Sequence, residues 1–347
     1  MPPLAVDQLI GNPTVVPFAV NSNVQQQLQN NYSMDFLQVR LTGTLTLASY
    51  SAAPAKFVES IENLIASLNL NATGSSAGAV TDQITSCDAA LLYFKTRLME
   101  GTAPTRTDVG TANGAYAFET NFKHYFNDPR SNASALTRLF TNLLSSLTLA
   151  YQFRDQTAMV SGGTGGTAVL SGTQITVQAR QYIGLTPPNP SPYTKLSQRT
   201  FAIAAAQNGF DANRVPVGNI IRRQYFKGML GATNYADPSD SIFGATGKPE
   251  GPHVTLVLNQ ATKLLDQVYP QMRADNKQLF GVEVIPSGYA VYEPARNRKL
   301  ASSIPMQGVG LADNYIDVAY TGGSINTLQI TDEELVKVSA GQFTQQR

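Results

Sequence analysis

Three kinds of residue pattern in this 347-residue chain are of the sort that does chemistry. The first is Gly244-Ala-Thr-Gly-Lys-Pro249, which has the look of a phosphate loop. Such a loop needs glycines for its backbone cradle, a Lys for the phosphates and Ser or Thr for the magnesium. Here Pro249 stands at the Ser/Thr position and Ile242 at the first Gly, so the stretch reads as a surface loop beside Pro252. Ser161-Gly-Gly-Thr-Gly-Gly166 has the glycines without the Lys and reads as a flexible loop. The second pattern is histidine. His124 and His253 are the only two, neither lies in an H-E-x-x-H spacing, and no G-x-S-x-G elbow accompanies them. His253, just after Pro252, reads as a turn or strand-edge residue. The third is paired carboxylates, which a glycosidase would use as acid and base. Glu333-Glu334 and Asp82/Asp88 are the local pairs and read as solvated charges. Asp237 and Asp240 offer at most a loose calcium site, against the plainer reading of a solvated loop. No catalytic, cofactor-binding or metal-binding residue is assigned, no cofactor is expected, and the chain is not read as an enzyme.

Basic residues raise a separate question. Gly288-Tyr-Ala-Val-Tyr-Glu-Pro-Ala-Arg-Asn-Arg-Lys-Leu300 places Arg296, Arg298 and Lys299 close together after an apolar run. A polyanion grip shows as a basic stripe or arm. The chain has a net charge of +1, only 14% charged residues, and no Lys or Arg before Arg40. The segment therefore reads as a turn between strands, and no sequence-specific nucleic acid is expected as a partner. Phe94, Tyr116, Phe118, Phe122, Tyr125 and Phe126 read as core rather than as a stacking platform, and the chain has no Trp. Cys87, the single cysteine, excludes an intrachain disulfide and a zinc cluster and reads as a small buried hydrophobe. The opening MPPLAVDQLIGNPTVVPF lacks the basic and apolar regions of a signal peptide, and no apolar run has the ~20 residues of a membrane span. The sequons at Asn31, Asn71 and Asn132 read as chance. Sparse charge with abundant small polar residues suits a surface that packs against neighbours.

The elements that would carry any of this are mainly strands. Phe36–Leu47, Ser146–Phe153 and Thr173–Arg180 alternate as half-buried strands should. So do Asn219–Phe226, His253–Leu258, Tyr315–Tyr320 and Asn326–Thr331. Helical spacing predicts short helices over Ala89–Met99 and Lys263–Phe280. Between the two sets lies Leu185-Thr-Pro-Pro-Asn-Pro-Ser-Pro-Tyr193, whose four prolines can continue neither a helix nor a central strand.

The two blocks on either side of this linker resemble each other. Leu70-Asn71 matches Leu258-Asn259, and Gly114-Ala-Tyr-Ala-Phe118 matches Gly288-Tyr-Ala-Val-Tyr292. Leu149-Ala-Tyr151 matches Val318-Ala-Tyr320, and Gln174-Ile-Thr176 matches Gln329-Ile-Thr331, all in the same order. The reading is a tandem duplication of a β-domain. The expected fold is all-β: two tandem jelly-roll β-sandwiches (a double jelly roll) with short interrupting helices. The expected divisions are an N-terminal arm over 1–30, a first jelly roll over 31–184, a linker over 185–193, a second jelly roll over 194–338 and a tail over 339–347.

The stretch Gly288–Ile304, the alternating Tyr315–Tyr320, Gly322-Gly-Ser324 and the final strand Asn326–Val338 resemble the C-terminal end of a known family. It is the double jelly-roll major capsid proteins of tailless icosahedral bacteriophages, whose architecture the adenovirus hexon shares. Ile220–Phe226 and Val254–Leu258 fit the same resemblance as early strands of the second jelly roll. The specific likeness covers roughly residues 200–338. It implies a homotrimer that forms a pseudo-hexagonal capsomer and tiles an icosahedral shell with neighbouring capsomers. It also implies minor capsid and vertex proteins as partners, possible contact with an internal virion membrane, and a place in the virion. The arm over 1–30, including Asn21–Asn31, belongs to this implication. The alternative from another class is a tandem jelly-roll carbohydrate-binding or host-attachment protein, such as a spike or adhesin; an enzyme on the same scaffold is the third.

Overall fold

A computed structural model describes residues 4–10, 14–15, 22–74, 81–130, 137–187, 192–232, 235–244, 247–297, 299, 302–322 and 325–336. The chain divides into two compact units. One comprises Met1–Pro129 and Ser134–Thr194, the other Arg130–Ala133 and Lys195–Arg347. Of the expected linker, 188–191 lie outside the described residues, as does the expected tail over 339–347.

The first unit carries β1 (Leu4–Leu9), β2 (Ser22–Gln27), β3 (Ser33–Ala48), β4 (Ile65–Gly74), β5 (Thr81–Cys87), α1 (Ala89–Glu100), β6 (Gly114–Tyr125), β7 (Leu144–Phe153) and β8 (Thr167–Ile183). One sheet runs β1-β8-β3-β6 and the other β2-β7-β4-β5, with antiparallel pairing throughout. The second unit carries β9 (Tyr193–Ala202), β10 (Gln207–Arg214), β11 (Ile220–Ala232), β12 (His253–Leu258), β13 (Thr262–Val268), α2 (Tyr269–Phe280), β14 (Tyr289–Tyr292), β15 (Ala312–Val318) and β16 (Ile325–Val336). Its sheets run β9-β16-β11-β14 and β10-β15-β12-β13. Adding eight to every label of the first unit gives the second. Each is an eight-stranded jelly roll, and the four internal matches in the sequence fall on or at the ends of equivalent strands: β4 and β12, β6 and β14, β7 and β15, β8 and β16.

Alternation builds each sandwich. Along β3 the odd-numbered Leu37, Val39, Leu41, Leu45 and Leu47 are buried, while Gln38 is half-buried and Arg40 exposed. In the second unit Ile221, Phe226, Leu328 and Ile330 of one sheet meet Val254, Leu256, Ile316 and Val318 of the other in one apolar cluster. Gln224 of β11 and Asn314 of β15 exchange amide hydrogen bonds of 3.1 and 3.2 Å across that core.

Two expectations change. Residues 1–30 supply β1, paired with β8, and β2, paired with β7, so the first jelly roll begins in the stretch read as an arm. These strands lie at sheet edges and alternate weakly, which left no strand signal in LAVDQL or SNVQQQ. Lys263–Val268, read as the start of a helix, is β13. Its adjacent leucines suit helical spacing, but pairing with β12 fixes it as a strand, and Pro270 opens α2.

The helices have equivalent tasks. Each has twelve residues and stops at a glycine in the left-handed region, Gly101 or Gly281. The eighth residue of each reaches the backbone of the last strand of its sheet. The Thr96 hydroxyl accepts from Lys123 N–H at 2.7 Å, and the Asn276 amide takes both Val291 N–H (2.8 Å) and Val291 C=O (2.7 Å). At Lys123 and Val291 the strand edge is thereby closed by a side chain instead of another strand.

Asn276→Leu keeps the branched shape of the side chain and removes both bonds at the buried Val291. With two buried backbone groups left without partners, the expected loss is about 2–5 kcal/mol, read by chemical denaturation. At Gly288 φ is +77°, and a Cβ would lie 2.5 Å from Ser239 N and 2.6 Å from Gly228 O. Gly288→Ala is expected to cost a further ~2–5 kcal/mol in the same measurement, from left-handed strain and overpacking together.

Candidate assembly surfaces

Several of the residues singled out in the sequence take part in contacts that hold the fold. Lys248 of the loop-like Gly244–Pro249 bonds Asp317 Oδ2 at 2.5 Å, and the same oxygen accepts from His253 N–H at 2.8 Å. His253 Nδ1 lies 3.0 Å from Asp266 Oδ1 and its Nε2 3.3 Å from Glu250. Hydrogen bonds from His253 and Lys263 hold the Asp266 carboxyl down at about 2, so it stays ionised near neutral pH. His124 is buried in the first unit against Thr85 Oγ1 at 2.8 Å. The two histidines belong to different units and each serves local structure. Asp240 accepts from Tyr269 OH and Gly288 N–H, both at 2.7 Å, and from Arg273. It pins the start of α2 to the start of β14. Among the described residues no group of three or more His, Cys, Asp or Glu is arranged to hold a metal ion. Phe94, Phe118, Phe122, Tyr125 and Phe126 lie in the core, and Tyr116 is half-buried with its OH on Ala112 C=O at 2.9 Å.

The carboxylate pairs need correction. Glu333 and Glu334, read as solvated, are both 2% exposed. Asp332 and Glu333 point to opposite faces of β16, and each meets its own partners. Asp332 turns inward to Gln224 Nε2 (2.7 Å) and to Arg199 (2.9 Å). Glu333 turns outward to Tyr225 OH (2.7 Å) and Arg223 (3.2 Å). Arg223 also binds Glu293 of the basic segment, and burial pushes the Glu293 carboxyl up. Arg296 of that segment pairs with Asp275 of α2 at 3.0 Å; Arg298 lies outside the described residues. Asp88 caps α1 by accepting from Leu91 N–H at 2.8 Å.

The described cavities do not suggest chemistry. A void of about 10 Å³ beside Arg222, Arg223 and Glu293 has room for about one water. An open cleft of about 370 Å³ on the first unit is lined by charges already bonded to one another. Arg40 clasps Glu119 through two bonds of 2.9 and 2.7 Å, and Lys123 meets Glu100. The Arg40 bonds hold Glu119 at about 2, too acidic to donate a proton near neutral pH.

What remains is surface able to meet neighbours. Leu4 is 62% exposed and Leu9 44%, both on β1, which pairs on one side only; Val58 is 61% exposed in the loop after β3. That loop is laced to others at one end of the first unit. Asn113 exchanges two 3.0 Å bonds with the Tyr50 backbone, and Ala55–Lys56 pairs with Val160–Ser161. The sequence showed neither this lacing nor the edge-closing roles of Thr96 and Asn276. A Thr and an Asn inside helices that favour neither was the available signal.

No protein-family model matches the chain, and no curated protein is similar to it in sequence. Solved structures are similar over nearly its full length. The major capsid protein of Sulfolobus turreted icosahedral virus superposes with a TM-score of 0.69 at 10% identity, over 98% of both chains. A chain from the atomic structure of that virus gives 0.71 at 12%, over 99% of this chain and 96% of that one. The major capsid protein P2 of bacteriophage PM2 gives 0.59 at 11%, over 95% and 97%. The Faustovirus major capsid protein gives 0.55 at 7%, over 96% and 90%. The likeness therefore extends beyond the bacteriophage capsid proteins that the sequence resembles. At these identities what is shared is the fold, and the fold of this chain is the double jelly roll.

Proposed function

We propose that this chain is the major capsid subunit of an icosahedral virus and that its function is assembly. Three copies, each with two jelly rolls, form a pseudo-hexagonal capsomer, and capsomers tile the shell of the virion. The observation that carries this reading is the match of both jelly rolls, in order and over 98% of each chain, to a viral major capsid protein. The physical properties agree. A subunit that buries most of its lateral surface desolvates few ions when charge is sparse, and only 14% of these residues are charged. Two similar domains in each of three subunits give near-sixfold symmetry from a true threefold.

The partners are other copies of the chain first, with minor capsid and vertex proteins and an internal membrane as further contacts of such shells. The reading assigns the chain no reaction. The carbohydrate-binding or attachment alternative gains no support from the aromatic residues singled out in the sequence, since they pack in the core or, at Tyr116, lie half-buried on β6. Light scattering after size exclusion is expected to give a mass near three times the 37.3 kDa chain, with shells or sheets in electron micrographs at high concentration. A clean monomer over a wide concentration range would overturn the capsomer.

A further inference from the structure

We infer that β1 of one copy pairs edge to edge with β13 of the next, and that this joint makes the lateral contact of the trimer. The inference rests on the capsomer reading and adds to it which strands meet. It comes from an imbalance between units whose topology is the same. By the eightfold label shift β5 corresponds to β13, and β1 to β9. In β9 the first two residues and Leu196 are buried and most of the remainder half-buried; in β5 Ile84, Thr85 and Cys87 are buried. Their counterparts are open. β1 is exposed at Leu4, Ala5, Asp7 and Leu9, and β13 at Thr262, Lys263, Leu264 and Asp266. Both strands stand at the end of their sheets. The repeat is complete in topology and incomplete in burial, and a second copy supplies what each open strand lacks.

The other sheet ends are weaker candidates. β6 and β14 are closed by Thr96 and Asn276, and Arg106–Thr107 also pairs with β6. β10 meets β15 with two breaks in register, which blunt it as a template. β2, with the sequence SNVQQQ, carries no large exposed apolar side chain. β1 and β13 have comparable lengths, six and seven residues, and both expose leucine. Their prominent charges are opposite: the Asp7 side chain is 65% exposed, near Arg180, and that of Lys263 is 61% exposed, near Asp266. Pairing β1 with itself would instead bring two Asp7 side chains together. A joint between two different edges is head-to-tail and closes into a ring when the rotation per copy allows it.

Cysteines at both positions test this in the full-length protein, with Asp7→Cys and Lys263→Cys made singly and together and coupled by a short bismaleimide. The native Cys87 is 2% exposed, and the unsubstituted chain is the control. The double variant is expected to give covalent two- and three-chain bands that stop at three, and each single variant none. Coupling by Asp7→Cys alone would overturn the inference in favour of β1 meeting β1. A trimer by light scattering whose double variant does not couple would overturn the joint and leave the capsomer standing. A monomer would overturn both. A charge exchange supplies an independent readout: Asp7→Lys is expected to raise the concentration at which the trimer dissociates several-fold, and Lys263→Asp in the same chain to restore it. Failure of the second substitution to restore assembly would also count against the joint.

Discussion

The pairing of the third strand of each jelly roll with its last is the constraint on which the rest of the molecule depends. In the first unit β3 and β8 run together from Ser33 opposite Tyr182 to Ala48 opposite Thr167; in the second, β11 and β16 run from Ile220 opposite Leu335 to Gly231 opposite Ile325. Each ladder joins segments about a hundred or more residues apart, so much loop entropy is lost before the contact contributes anything. Once formed, it offers two further edges. The first strand of the unit adds to one and the sixth to the other, which completes a four-stranded sheet for the second sheet to cover.

A four-stranded sheet has two ends, and their treatment links the fold to the proposed assembly. At one end a helix side chain, Thr96 or Asn276, occupies backbone groups that another strand would otherwise take. This is a local solution, repeated in both units at the same helix position. The open strands β1 and β13 have no such cover, and exposed leucines there would be a liability in a solitary protein. In the proposed ring they are where specificity can reside.

Charge contributes more to register than to net stability. Burying ion pairs costs desolvation that their attraction scarcely offsets. Asp332 and Glu333, however, sit next to each other on opposite faces of β16, with Gln224 and Arg199 on one side and Arg223 and Tyr225 on the other. A one-residue slip would turn each carboxylate toward the wrong set of donors, in addition to inverting the apolar face. Glu333, read from sequence as solvated, therefore has a structural use only where the strand lies between two covered faces.

By itself the sequence determined the class of fold, the duplication and most of the central strands, because period-two alternation is written in residue types wherever one face of a strand is buried and the other wet. It likewise determined that phosphate-loop and zinc signatures were incomplete, since those chemistries need particular residues at particular spacings; a triad, whose members lie far apart in a chain, it left open. It did not reveal β1 and β2, which lie at sheet edges with little contrast between their faces, nor β13, whose adjacent leucines imitate a helix until β12 pairs with it. Nor did it place Glu333 and Glu334 in the interior or Asp240 at the junction of α2 and β14. Those outcomes depend on partners distant in the chain, and only the tertiary structure, by bringing the partners within hydrogen-bond reach, could decide them.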